Sequence, residues 1–150
     1  MLEAISNAKE ELKRADHLLY VSLKYTRTVD VFKSLIQRLL DCDEFTIQAL
    51  LKYLKEKKKI PALTQSPVAQ ANQLKKCFPE DRLIQENIDL YLLLRKINKA
   101  EYVKAKEFRR HVNMTVLIEE EVIEINIDRL YEYYDQTRAF LSHVEEIIKT

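Results

Sequence analysis

The stretch from Thr28 to Lys59 contains neither proline nor glycine and carries one continuous apolar stripe. Phe32, Ile36, Leu39, Ile47, Leu50 and Leu54 recur at the 3.6-residue helical period, with Asp43 in the middle of the series. At the rise of an α-helix the stretch spans about 45 Å, longer than an ordinary globular helix. A helix of that length with a single apolar side is expected to be the backbone of an antiparallel bundle.

The flanking residues supply material for such a bundle. Ile5, Ala8, Leu12, Ala15 and Leu19 give residues 3–23 an inner stripe, and Ser22 to Thr28 is polar enough for a bend. Thr28 is the expected cap of the long helix, whose lysine-rich end is closed by Pro61. Ser66 followed by Pro67 predicts a short helix over Val68 to Lys76. Pro79, Glu80 and Asp81 predict the start of another, with Leu83, Ile84, Ile88, Tyr91 and Leu92 on its stripe. Its apolar run at Leu90 to Leu94 suits burial on more than one side, in a core or at a dimer face. Ala100 to Arg109 reads as a short, strongly basic helix.

After Arg110 the apolar period drops to two. Val112, Met114, Val116 and Ile118, then Ile123, Ile125 and Ile127, flank the turn Glu119-Glu120-Glu121 and predict an antiparallel hairpin. That turn has neither glycine nor asparagine, so the hairpin must depend on packing against helices, and its exposed edge can pair with a symmetry mate. Asp128 is the expected cap of a final helix with Leu130, Tyr134, Thr137, Leu141 and Val144 inward. The predicted fold is one mainly α domain over residues 1–150: an antiparallel up-and-down helical bundle with a β-hairpin inserted before the last helix.

Composition narrows the function classes. The chain has no glycine at all, which excludes a glycine-dependent phosphate loop, a dinucleotide fingerprint and a nucleophile elbow. Cys42 and Cys77 suit free thiols, and the scattered histidines and cysteines have no metal-ligand spacing, so neither a metal nor a cofactor is expected. No apolar run is long enough for a membrane span. The amphipathic amino terminus lacks a signal-peptide core, which makes the cytoplasm the expected location. Charge is polarised along the chain: residues 1–111 hold 22 Lys and Arg against 15 Asp and Glu, whereas residues 112–150 hold three against nine. Either a partner reads this asymmetry or the acidic end folds back on the basic part.

Four groups of residues are candidates for chemistry. Arg138 and His143 lie five apart, about 140° out of phase on a helix, and so flank a groove. An arginine that holds phosphate beside a histidine that moves protons suits phosphodiester cleavage. Lys55, Lys58 and Lys59, with Lys52 and Lys57, sit at a helix carboxyl end, where cations complement the dipole and can also contact phosphate. Arg109 and Arg110, beside His111, can bind phosphate or pair with Glu119 to Glu121. Asp43 on the apolar stripe demands a partner, either a functional pocket or an ion pair with Arg14, Arg27 or Arg95. His17 reads as a structural histidine. The clustered Tyr131, Tyr133 and Tyr134 offer stacking surfaces for bases and equally suit a core rim.

The opening AKEEL helix, the long second helix and the overall length resemble the prokaryotic HEPN superfamily of small helical bundles. The resemblance covers residues 3–100 and 128–149. It implies a bundle that dimerises and, for the ribonuclease members, a metal-independent site in which Arg138 holds phosphate and His143 is catalytic. Ala139 stands where those members carry a polar residue. The sequence leaves open whether the chain is an enzyme. The expectation is a small cytoplasmic protein, a homodimer, acting through self-association or by binding RNA or a protein. The alternatives are a HEPN-type ribonuclease, or nucleic-acid binding without cleavage, which requires the lysines of 52–59 and the basic 104–111 segment on one surface.

Overall fold

The computed structural model describes all 150 residues. Helix α1 (Leu2–His17) runs into a π-helical turn (Leu18–Ser22) and the short α2 (Leu23–Tyr25). The long α3 (Val29–Glu56) follows, then α4 (Pro67–Cys77) and α5 (Arg82–Lys99). Strands β1 (Tyr102–Ala105), β2 (Asn113–Ile118) and β3 (Glu121–Ile125) precede α6 (Ile127–Lys149). The molecule is a mainly helical bundle with a small antiparallel sheet inserted before the final helix.

Side-chain contacts set the directions of the helices. Glu11 bridges to Arg38 while the short connector at residues 26–28 joins the near ends, so α1 packs antiparallel to α3. Asn98 meets Gln37 and Tyr91 meets Glu44, so α5 is also antiparallel to α3. Lys9 pairs with Glu145 while Tyr20 stacks edge-on to Tyr131, which sets α6 antiparallel to α1. Every apolar residue of the α3 stripe is buried, and 36 buried hydrophobic residues form one core. Covering each large aliphatic or aromatic side chain stabilises the fold by roughly 2 kcal/mol.

Most helix ends follow the capping chemistry of the sequence. Thr28 accepts from the Val31 N–H, and Ser66 accepts from the Ala69 N–H. The far end of α3 closes without glycine: Lys58 takes a left-handed φ of 60° while the Lys59 N–H reaches the Leu54 carbonyl. Asp81 is a cap outside α5 rather than part of its first turn, with its side chain accepting from the Ile84 N–H. The cap of α6 is Asn126, not Asp128; Asn126 accepts from the Arg129 N–H, which leaves Asp128 inside the first turn where its charge suits the dipole.

The basic segment at 100–109 is not a helix. Tyr102–Ala105 instead forms β1, pairing antiparallel with β2 so that Tyr102 faces Val116 and Ala105 faces Asn113. A third strand thus widens the expected hairpin into a sheet of order β1-β2-β3. Helical period and charge favoured a helix, but β2 offered a free edge with backbone groups to satisfy, and a third strand adds the support that an isolated ribbon lacks. The hairpin turn is also tighter than expected. Leu117 and Ile118 pair with Val122 and Glu121, leaving only Glu119 and Glu120 to turn the chain, both at positive φ. The inner face of the sheet buries Met114, Val116 and Ile125 against the bundle.

Candidate functional site

The Arg138–His143 pair does not converge within one chain. The guanidinium of Arg138 lies over the Tyr134 ring at 5.9 Å and within 3.9 Å of Asp135. His143 is held by Asp81, the cap of α5, with Nε2 to Oδ2 at 2.6 Å. Asp81 therefore serves two helices at once, capping α5 and anchoring α6. Burial opposes ionisation of its carboxyl, but the hydrogen bond from His143 and those from the α5 backbone outweigh it and hold the group below its ordinary value. A carboxyl depressed in the folded state adds stability above the ordinary value of 3.8, and this is lost as pH falls through the lower folded value. Acid titrations of the wild type and Asp81→Asn, followed by circular dichroism, should diverge above that range and converge below it. Curves offset equally at every pH would remove this role from Asp81.

The remaining cations fall into two separated groups. Lys55, Lys58 and Lys59 are exposed at the carboxyl end of α3. Arg109 and Arg110 belong to the β1–β2 loop, which is bound to the other end of that helix. There the Val29 N–H donates to Glu107 at 3.0 Å, and the Phe108 N–H donates to the Arg27 carbonyl at 2.7 Å. The length of α3, about 40 Å, separates the two groups. The lysines of 52–59 and the 104–111 segment are therefore not one surface. Nor do Arg109 and Arg110 pair with the acidic turn: neither forms an ion pair, and Glu119 is held by Lys96 at 2.8 Å.

Asp43 has no ion pair. Arg14 is bound to Glu11, and Arg95 is bound to Glu44, which also accepts from the Tyr91 hydroxyl at 2.7 Å. The charged layer expected at Asp43 is thus built one residue later, on the α5-facing side of the helix. Asp43 is fully buried with both carboxylate oxygens unpartnered. Burial, and then the charge of Glu44, push its carboxyl well above the ordinary value. Of the tyrosines, Tyr133 and Tyr134 are buried, and Tyr20 packs edge-on against both Tyr131 and Tyr134. The π-helical turn shifts the register at Tyr20, which the regular spacing of the sequence did not show.

Two further surface features adjoin the sheet. Its outward face carries Val103, Leu117 and Val122, which are 70%, 63% and 67% exposed. Register places them together: Leu117 pairs with Val122, and Val103 lies across from Thr115, two residues away on the same face. A shallow groove of about 260 Å³ runs between them. At the opposite end of the sheet a cleft of about 580 Å³ opens between the β1–β2 loop and the start of α6. Sequence reasoning missed Arg27 and Lys106 as members of this cleft because they lie far apart in the chain. It missed the apolar face because β1 was read as helix.

No group of three or more His, Cys, Asp or Glu side chains is placed to hold a metal ion, and no helix is long and apolar enough to cross a membrane. Comparison of the chain with models of known families, with curated proteins and with solved structures finds no match.

Proposed function

We propose that this protein acts through self-association, as a homodimer joined across the outward face of its sheet, with no catalytic step of its own. The observation that carries this reading is the exposure of Val103, Leu117 and Val122 on one small face. Isolated exposed aliphatic residues are ordinary, but three in register on a sheet that already buries its other face call for a cover. A second copy is the occupant that these residues favour. An apolar patch is complementary to itself, as an isologous two-fold contact requires.

The sedimentation of the wild-type chain should accordingly be that of a dimer at micromolar concentration. Leu117→Lys combined with Val122→Lys puts like charges into both halves of the contact and should yield a monomer with unchanged helix content. Both residues face solvent in the single chain, so neither substitution disturbs its core. A wild type that sediments as a monomer, or a variant that remains a dimer, removes the sheet face as the interface.

A further inference from the structure

We infer that the cleft at the end of the sheet is a binding site for a phosphorylated sugar. Its lining divides by chemistry. The α2–α3 connector and the β1–β2 loop contribute Arg27, Lys106, Arg110 and His111. The sheet and the first turn of α6 contribute Asn113, Glu124, Asn126 and Asp128. Only Ile127 is apolar. Such a lining does not suit an apolar ligand. It pairs oxyanion-binding guanidinium groups with a bank of carboxylate and amide groups that take sugar hydroxyls.

Three observations show that these cations are kept for a ligand rather than used by the fold. Arg27, Lys106 and Arg110 form no ion pair, although Glu124 and Asp128 line the same cleft. The Arg27 Nε–H is buried without an acceptor, and a buried donor of this kind is costly unless something fills the role. The loop is fastened in place: Glu107 accepts from the first turn of α3, and Phe108 donates to the carbonyl of Arg27 itself. To make these contacts the chain adopts left-handed backbone at Lys106 and Phe108, with φ of 56° and 64°, which glycine adopts more readily. The volume of about 580 Å³ matches a ligand from a sugar phosphate up to a nucleotide in size. The phosphate is assigned to Arg27, Arg110 and Lys106, and the hydroxyls to Glu124 and Asp128 with the two asparagine amides.

Calorimetric titration of the full chain at low ionic strength tests the assignment with ribose 5-phosphate, ribose, inorganic phosphate and adenosine 5′-monophosphate. Ribose 5-phosphate should bind at least tenfold more tightly than either ribose or inorganic phosphate, a difference of about 1.4 kcal/mol. Arg110→Gln, at an exposed position that leaves the core intact, should weaken ribose 5-phosphate by about tenfold. Glu124→Gln with Asp128→Asn should weaken ribose 5-phosphate while inorganic phosphate binds no more weakly than to wild type. Tighter binding of the nucleotide than of ribose 5-phosphate identifies the sugar as part of a nucleotide, and the reverse order identifies a free sugar phosphate. Two results overturn the inference: no binding of any phosphorylated probe at about 10 mM, or Arg110→Gln binding as wild type does. Lys58→Gln, at the far end of α3, serves as the charge-matched control for Arg110→Gln.

Discussion

Asp43→Leu is expected to raise the unfolding free energy by about 2 kcal/mol at neutral pH, because it replaces an orphaned buried carboxyl with apolar volume. Most substitutions in a packed core destabilise, so a gain here would be diagnostic. Asp43 lies on the innermost stripe of α3, both of its oxygens lack a partner, and the three arginines nearest in prospect are committed or distant. Its carboxyl is pushed up by burial and then by Glu44. The sign of the pH dependence follows. The folded state holds a proton that the unfolded chain releases above its ordinary value of 3.8, so the stability of the wild type falls as pH rises from there to the raised folded value. The slope is about 1.4 kcal/mol per pH unit across that window.

Asp43→Asn keeps the shape and the unmet polarity but cannot ionise. It should match the wild type in acid and exceed it progressively as pH rises, whereas Asp43→Leu should exceed it throughout. Urea unfolding at a series of pH values measures both. A loss of more than about 1 kcal/mol in Asp43→Leu at neutral pH would mean that the carboxyl has a polar partner worth keeping.

The second large effect is expected at the hairpin turn. Replacing Glu119-Glu120 with Asn-Gly should raise the melting temperature by about 5 °C. A two-residue hairpin turn of type I′ has positive φ at both central positions, and here both are glutamates, at 51° and 69°. Asparagine and glycine adopt that geometry without the clash of a β-carbon. The substitution also removes the contact of Glu119 with Lys96, but an exposed pair of this kind contributes little. An unchanged or lower melting temperature would show that the turn is not strained, and that Lys96 and Glu119 hold the hairpin against α5.

These two sites share a property with the glycine-free Schellman end of α3 and the left-handed residues of the β1–β2 loop. At each, the local preference of the sequence is overruled by packing. A chain without glycine must place five ordinary residues at positive φ, and Lys58, Lys106, Phe108, Glu119 and Glu120 do so where neighbouring elements hold them. Sequence propensity could not identify those positions, since none of the three residue types, Lys, Phe and Glu, signals a turn. The hairpin was legible through its period of two, yet its turn length was not, because only the cross-strand register of Leu117 with Val122 decides it.

The candidate sites divide along the same line. The identity of the chemically capable residues was legible: Arg109, Arg110, Arg138, His143 and the lysines are all on the surface or in partly open positions. Their grouping was not. His143 meets Asp81 across 62 residues, and Arg27 meets the loop that follows β1 across about 80. Asp43 was recognised as costly, but its expected partner went to Glu44, one residue and about 100° further round the helix.

By itself the sequence determined the bundle, because the 3.6-residue period of the apolar positions in α1, α3, α5 and α6 leaves only helices packed stripe to stripe as a way to bury them. It also determined the ribbon before the last helix, through the change of period, and two of the helix caps, through Thr28 and Ser66. Tertiary structure alone decided that residues 102–105 are a strand, since a basic segment with little intrinsic preference pairs with whichever edge is free. It alone decided which charges are spent on the fold and which stay open. Periodicity reports which side of an element is buried; which element lies opposite depends on contacts between residues distant in the chain, and both the apolar sheet face and the cleft are made of those.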